Sequence, residues 1–120
     1  FLDRKKDIVR RGGENISSHE VEGVIKSLDA VEEVAIIPSP DEFYTEVVKA
    51  LVRPKAGHYL EPEEIVEHCR GTMASFKIPR YIEFVEELPY TPTGKIQKQK
   101  LREREKSEDP NHWDREDELV

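Results

Sequence analysis

The segment PYTPTGKI, residues 89–96, places a single lysine, Lys95, behind a run of turn-forming residues. Proline and glycine fix a turn while leaving few side chains near it, so this loop is stiff and its cation stands alone. A lysine ammonium is a compact positive charge at neutral pH and is suited to an oxyanion such as a phosphate or a carboxylate. By itself the loop fits an anion-binding site and also a solvent-exposed connector.

A pair of glycines, Gly12-Gly13, marks a second place where the backbone itself can approach a ligand. Residues 7–11 predict a short strand before the pair, and Asn15-Ile16 predict a return strand after it. Both glycines can adopt positive φ, and neither carries a side chain that obstructs close approach. The sequence therefore predicts a tight hairpin near the start of the chain.

Three segments have the pattern of helices. Ser17 with Glu20 three residues later is the capping-box arrangement, and apolar residues follow it at helical spacing. Pro62 stands where the first residue of a helix belongs and predicts a helix over residues 62–70 that buries Cys69 as a small apolar side chain. The third predicted helix, residues 98–105, follows the lysine loop.

Three apolar runs predict the strands of a sheet: residues 34–37, 47–53 and 81–85. Pro38 and Pro40 are expected to end the first run, which leaves residues 38–46 as a loop. Together with the hairpin and the helices, the order predicts an α+β domain of two layers. A small N-terminal β-hairpin accompanies a three-stranded sheet that is packed by helices.

The charge of the chain is −7 over 120 residues, and it is unevenly distributed. Residues 77–102 carry 6 basic and 3 acidic side chains, whereas residues 29–76 carry 4 basic and 10 acidic ones. Duplex nucleic acid requires many phosphate-neutralising cations, so this profile disfavours a nucleic-acid partner but allows a small polyphosphate ligand. The length fits a single domain.

Other features of the sequence narrow the class of protein further. No apolar run approaches the roughly 20 residues that cross a bilayer, and the N-terminus lacks the order of a signal peptide. Cys69 is the only cysteine, which excludes an internal disulfide and a thiolate zinc cluster. The four histidines lack ligand spacing and are interpreted as surface residues, so no metal site is predicted. The expected compartment is the cytoplasm.

Three blocks together resemble the C-terminal domain of acyl-adenylate-forming enzymes, which include acyl-CoA synthetases, adenylation domains of peptide synthetases and luciferases. DRKKDIVRRGGENI, residues 3–16, with EVE at residues 20–22, resembles the hinge-and-loop motif that opens this domain. FKIPR, residues 76–80, resembles its internal Phe-Lys-x-Pro segment. Residues 88–102 resemble its terminal motif, Pro-x-Thr-x-x-Gly-Lys-Ile with a basic tail. The resemblance covers residues 1–105.

The resemblance implies a two-step reaction. A carboxylate attacks ATP to give an acyl-adenylate and pyrophosphate, and a thiol then attacks the adenylate. A large N-terminal domain of the same enzyme is expected to hold the carboxylic acid and ATP with its Mg²⁺. Residues 1–105 are then a C-terminal lid that rotates about a hinge near Lys6, and residues 106–120 are an acidic tail that is expected to be flexible.

The resemblance also assigns roles to residues at matching positions. Lys95 matches the lysine that bridges the substrate carboxylate and the α-phosphate, where one cation offsets the repulsion of two anions and the charge that develops in the transition state. Arg4 matches the arginine that contacts the nucleotide ribose, and Lys6 matches the hinge residue. Lys98 replaces the arginine that is common three residues after the catalytic lysine, which keeps the charge but loses bidentate geometry.

Six further residues match positions that meet the thiol substrate. Gly12, Gly13 and Glu14 match a loop that reaches the thiol channel, although the glycines also suit a plain hairpin turn. A second set falls where acyl-CoA synthetases meet the nucleotide end of CoA, with a ring to stack on adenine and cations for phosphates: Phe76, Lys77 and Arg80. Phe76 also fits a core position.

The preferred interpretation is an acyl-CoA synthetase domain, an acid–thiol ligase that acts on a carboxylic acid, ATP and CoA as part of a longer chain. The isolated domain is expected to be inactive and to bind no ATP tightly. Two alternatives stay open, namely an adenylation enzyme that loads a carrier-protein thiol and a non-catalytic interaction module.

Overall fold

The computed structural model of the chain describes residues 7–107 and 113–115. In chain order, its elements are β1 (Ile8–Arg11), β2 (Glu14–Ser17), α1 (Ser18–Lys26), β3 (Val31–Asp41), β4 (Thr45–Pro54), α2 (Pro62–Arg70), β5 (Tyr81–Phe84), α3 (Lys98–Ser107) and β6 (Trp113–Asp114). A short 3₁₀ turn, Ser75–Lys77, precedes β5. This mixture of strands and helices is the α+β class that the sequence predicts.

The sheet is organised around β4. This strand pairs antiparallel with β3 along its whole length and parallel with β5, and β5 pairs antiparallel with β6. The β1–β2 hairpin joins the sheet through one residue pair, Arg11 with Thr45. The predicted hairpin and the predicted three strands are confirmed, and β6 adds a short sixth strand.

The predicted end of β3 at its prolines is wrong, because the strand continues through Pro38 and Pro40 to Asp41. Among the described residues β3 pairs only with β4, so one of its edges is unpaired. The Ile36 amide points away from β4 and donates to the Glu22 carboxylate at 2.8 Å. Pro38 and Pro40 lie two and four residues after Ile36, so their backbone nitrogens also face away from β4. Their missing N–H groups therefore remove no hydrogen bond from the β3–β4 ladder. The predicted loop shrinks to a three-residue turn.

The helices begin where local signals place them. The Ser17 hydroxyl accepts the Glu20 amide at 3.4 Å and caps α1, as predicted. Pro62 is the first residue of α2, whose limits match the predicted ones. Cys69 is fully buried, as predicted, and burial raises the pKa of its thiol to about 11. Apolar periodicity and capping therefore determined both helices from local sequence.

The two faces of the sheet carry separate apolar clusters. Side chains at even positions of β3 and β4, such as Ile36 and Val52, pack in the main core with α1 and α2. Ala35, Ile37 and Leu51 point to the opposite face, where they form a second cluster with Leu88 and with Leu101 of α3. Alternation along the strands thus covers one face with two helices and part of the other face with α3.

The C-terminal segment is partly built into the domain. The last helix continues to Ser107, two residues beyond the predicted boundary at residue 105. Trp113 and Asp114 then pair with β5, and Arg115 is buried. The prediction of a flexible tail did not anticipate this strand, while residues 108–112 and 116–120 lie outside the described residues. No helix in the described part of the chain has the length and apolar character of a membrane span.

Candidate functional site

The Lys95 loop, residues 89–96, is a closed turn. The Thr91 amide donates to the Lys95 carbonyl at 2.6 Å, and the Lys95 amide donates back to the Thr91 hydroxyl at 3.1 Å. Gly94 adopts a φ of +92°, a conformation that would be strained for a residue with a side chain. Tyr90 pairs with Ile96 across the turn. The backbone around Lys95 is therefore fixed by local hydrogen bonds on both sides.

The Lys95 side chain points out of this turn. It is exposed, and within the described part of the chain its ammonium makes no ion pair or hydrogen bond. Its neighbour Ile96 packs against the cluster of apolar side chains beneath α3. The loop is therefore anchored by Ile96 and presents the adjacent cation outward, which is the arrangement that an external anion requires.

The glycine turn, Gly12 with Gly13 and Glu14, lies at the tip of the β1–β2 hairpin. Gly12 has a φ of +60°, and its amide donates to the Tyr44 carbonyl at 2.7 Å. The guanidinium of Arg11 stacks on the Tyr44 ring at 3.7 Å from the centroid. All three residues of the turn are exposed, so the turn is supported from behind by Tyr44 and open in front.

The residues predicted to meet the nucleotide end of CoA make more contacts within the domain than Lys95 does. Phe76 is partly buried against the main core, which agrees with the alternative core interpretation. The Lys77 ammonium lies 3.3 Å from the Glu20 carboxylate and stays 26% exposed. Arg80 is buried, and its guanidinium donates to Asp114 at 2.6 Å. The charges of Lys77 and Arg80 are thus both engaged within this domain.

Arg4 and Lys6, the predicted ribose contact and hinge, lie outside the described residues. The structure describes the chain from Asp7, which is the residue that follows the predicted hinge. The Asp7 carboxylate is 2.5 Å from the Lys98 ammonium. The first residue of α3 therefore contacts the segment that leads into β1.

Comparison with known proteins shows the family. The model of the AMP-binding enzyme C-terminal domain matches residues 20–95 of the chain. The chain belongs to this family. The solved structure of a Mycobacterium tuberculosis fatty acyl CoA synthetase superposes on this AMP-binding C-terminal domain with a TM-score of 0.76 and 41% identity, over 82% of this chain and 20% of the other. ATP-bound MatB from Rhodopseudomonas palustris superposes with a TM-score of 0.81 and 34% identity, over 86% and 20%.

Curated relatives of the domain are acyl-activating enzymes and CoA ligases. "Probable acyl-activating enzyme 6" of Arabidopsis thaliana is 46% identical over 103 residues, which are 84% of this chain and 19% of that protein. "Medium-chain acyl-CoA ligase ACSF2, mitochondrial" of Danio rerio is 46% identical over 101 residues, 84% of this chain and 17% of that protein. The chain spans about a fifth of the length of these relatives.

The domain contains a buried ionic network that the sequence analysis missed. Lys49 is fully buried in β4, and its ammonium contacts the Glu105 carboxylate of α3 and the Glu83 carboxylate of β5, the latter at 3.0 Å. The Ser39 hydroxyl donates to Glu105 at 3.3 Å, and Arg104 pairs with Glu83 at 2.6 Å. A lysine inside the apolar run VVKALV was the available signal, because a buried lysine requires a carboxylate partner.

A second charged cluster lies beside the start of β1. Asp7, His19 and Glu22 bring their ligand-type atoms within 4.8 Å of one another. The Lys98 ammonium lies 2.5 Å from both the Asp7 and the Glu22 carboxylates, and it supplies the positive charge between them. His19 is 72% exposed, in agreement with its interpretation as a surface residue, and it contacts Asp7 at 2.9 Å.

Proposed function

We propose that this chain is the C-terminal lid of an AMP-forming acyl-CoA synthetase, which activates a carboxylic acid with ATP and transfers the acyl group to CoA. The observation that carries the proposal is the Lys95 ammonium, exposed on a closed turn and without an ion-pair partner in residues 7–107 or 113–115. A charge held in this way is available to an anion from outside the domain. The names of the relatives support the reaction class.

In the first half-reaction, a carboxylate oxygen attacks the α-phosphorus of ATP and the bond to the bridging oxygen of pyrophosphate breaks. Two anions must therefore approach each other, and negative charge accumulates on the phosphate oxygens. We assign Lys95 to the space between the carboxylate and the α-phosphate, where a fixed ammonium offsets both effects. Its role is electrostatic, and no proton leaves it in this step.

In the second half-reaction, the thiol sulfur attacks the acyl carbon and AMP leaves. The glycine turn follows the end of β1, whereas Lys98, three residues after Lys95, contacts Asp7 at the start of this strand. Four extended residues separate these ends by about 13 Å. We propose that rotation about Lys6 withdraws Lys95 and brings the glycine turn, Gly12 to Glu14, to the thiol channel.

The remaining assignments follow the same proposal. Arg4 contacts the ribose of the nucleotide, and Phe76 with Lys77 meets the nucleotide end of CoA. Lys77 is suited to this role because it is partly exposed and a phosphate can replace its Glu20 partner. For Arg80 the buried contact with Asp114 favours a role in holding β6 against β5.

The partner of this lid is an N-terminal domain of the same enzyme, in keeping with the fraction of the relatives that the chain spans. That domain binds the carboxylic acid and ATP, and Mg²⁺ accompanies ATP there. In the described residues the cluster of Asp7, His19 and Glu22 already holds the Lys98 ammonium, so no Mg²⁺ ligand is assigned to this chain. The cytoplasm is the proposed compartment, which fluorescence imaging of the full-length protein checks.

The test is Lys95→Ala in the full-length protein that contains this chain, with Lys100→Ala as the matched control. Lys100 is an exposed lysine of α3 without an ion pair in the described part of the chain. We expect Lys95→Ala to slow ATP–pyrophosphate exchange by about 10²–10³-fold, as for loss of one charge-stabilising donor. Thioester formation from supplied acyl-adenylate should stay within about twofold, because Lys95 is withdrawn in that step.

Equal loss of both half-reactions in Lys95→Ala would show that the assigned role is wrong. The acceptor is tested separately, by supplying the full-length protein with free CoA or with a phosphopantetheinylated carrier protein. Preference for the carrier would replace the CoA assignment. Absence of adenylation by the wild-type protein would favour the interaction module. Calorimetry on the 120-residue chain alone should show no tight binding of ATP.

A further inference from the structure

Lys98 is a lysine whose charge is used inside the domain. Its side chain is only 15% exposed, and its ammonium lies 2.5 Å from the carboxylates of Asp7 and Glu22, which are 11% and 17% exposed. Ion pairs that are largely withdrawn from water are screened less than surface pairs. The contact therefore holds the first residue of α3 against two other elements of the fold.

Both carboxylates that receive Lys98 are themselves fixed. Glu22 also accepts the Ile36 amide of β3 at 2.8 Å, so its position is tied to the sheet. The Asp7 carboxylate contacts His19 at 2.9 Å, and the Asp7 carbonyl accepts the Ser18 amide at 3.1 Å. The ammonium thus meets a preformed receptor built from the start of β1, from α1 and from the edge strand.

The position of Lys98 in the chain makes this contact relevant to Lys95. Only Ile96 and Gln97 separate the two lysines, and the Gln97 amide is bonded to the Pro89 carbonyl at 2.8 Å. Asp7 directly follows the hinge residue of the proposed function. A short and hydrogen-bonded segment therefore links Lys95 to the strand that leaves the hinge.

We propose that Lys98 is a positioning residue for adenylate formation. By bridging Asp7 and Glu22, it fixes the Lys95 loop to the start of β1, so that the loop and the hinge strand turn as one body. This inference rests on the proposed function, because it assumes that Lys95 acts in the first half-reaction. Without the bridge, the loop keeps its internal hydrogen bonds and its Ile96 contact, but its position relative to the start of β1 is less closely fixed. A displacement of about 1 Å at a reacting group can cost on the order of 100-fold in rate.

The test uses Lys98→Met in the full-length protein, with Lys98→Arg as the conservative variant and Lys100→Met as the matched control on the same helix. Methionine keeps the aliphatic volume and removes the charge. We expect Lys98→Met to lower kcat for ATP–pyrophosphate exchange about 10- to 100-fold while KM for ATP changes little. Thioester formation from supplied acyl-adenylate should stay within about twofold, because that step uses the glycine turn.

Lys98→Arg should recover adenylation to within about threefold of wild type, since a guanidinium fork can bridge two carboxylates. Glu22→Gln provides a second route to the same result, because it removes one charge and keeps an oxygen for the Ile36 amide. Circular dichroism on each variant verifies that the fold is retained. Glu22→Gln should therefore also slow adenylation selectively.

The outcomes separate the two proposals. If Lys98→Met and Glu22→Gln leave adenylation within twofold, or lower both half-reactions in parallel, Lys98 has a structural role only and the inference is overturned. If Lys95→Ala retains adenylation, the proposed function itself fails, whatever the Lys98 variants do. Selective loss in Lys98→Met with recovery in Lys98→Arg supports both.

Discussion

Removing the ammonium of Lys49 probes how the second face of the sheet is held. In Lys49→Met the aliphatic volume is nearly preserved, so the change isolates the charge in a side chain that is 0% exposed. Its partner Glu105 is 2% exposed and keeps one hydrogen bond, from Ser39 at 3.3 Å. Glu83 keeps Arg104 at 2.6 Å. The cost therefore comes mainly from leaving the Glu105 charge buried without a cation.

Breaking a buried pair by removing one partner costs about 3–5 kcal/mol. We therefore expect Lys49→Met to lower the free energy of unfolding of the chain by about 3–4 kcal/mol, because Arg104 lies 4.0 Å from Glu105 and compensates only weakly. The double variant Lys49→Met with Glu105→Leu removes the stranded charge. It should recover at least about half of the loss, since apolar pairs replace buried ion pairs at little cost.

The assay is urea unfolding of the 120-residue chain, followed by circular dichroism and by the fluorescence of Trp113, the only tryptophan. With an m-value of about 2 kcal/mol/M, a loss of about 4 kcal/mol lowers the midpoint by about 2 M. Lys55→Met is the matched control, because Lys55 is exposed and makes no ion pair within the described residues. It should change stability by less than about 0.5 kcal/mol.

A loss of less than about 1 kcal/mol in Lys49→Met, with an unchanged m-value, would refute the prediction that the Glu105 charge is left uncompensated. That prediction also fails if the loss of stability in the double variant equals the sum of the losses in the two single variants. Additivity would mean that the two side chains do not interact energetically, in spite of their contact in the structure.

Two further predictions concern single positions. Thr45 is β-branched and has a φ of +75°, which strains its backbone. Thr45→Gly should therefore raise the free energy of unfolding by about 0.5–1 kcal/mol, measured by urea unfolding, whereas Thr45→Ala should not. Equal effects of the two substitutions would contradict backbone strain at this position. The Cys69 thiol, with its pKa raised to about 11 by burial, should react with a disulfide reagent only after unfolding at neutral pH. Because the folded chain holds this proton more tightly than the unfolded chain, its contribution to stability is complete below about pH 9 and is lost as the pH rises to about 11. Cys69→Ala should remove the decrease in stability between about pH 9 and about pH 11, and the same decrease in this variant would contradict its assignment to Cys69.

Where local signals decided the structure, the sequence predicted it. The capping serine at residue 17 and Pro62 at the start of α2 placed helix beginnings correctly, because both act through backbone groups within a few residues. The closed turn around Lys95 was also predicted, since its proline and glycine residues restrict the backbone on their own. The motifs at both ends of the chain identified the family that the comparison then showed.

The path of β3 is where local reasoning failed. Proline ends a strand only where its missing N–H would face a neighbouring strand. Pro38 and Pro40 lie on the side of β3 that has no neighbour among the described residues, and that placement depends on the whole sheet. The residues around the two prolines do not indicate which edge of β3 is left unpaired.

The sequence by itself determined the helix starts and the closed turn that carries Lys95, because each depends on residues that are close in the chain. Only the tertiary structure decided which carboxylates pair with Lys98, Lys77 and Lys49. Lys98 meets Asp7 across 91 residues, Lys77 meets Glu20 across 57, and Lys49 meets Glu105 across 56. Contacts at such separations form only when strands and helices are packed together. The carboxylate that packing places opposite a lysine then decides whether the lysine is a surface charge or part of an internal ion pair.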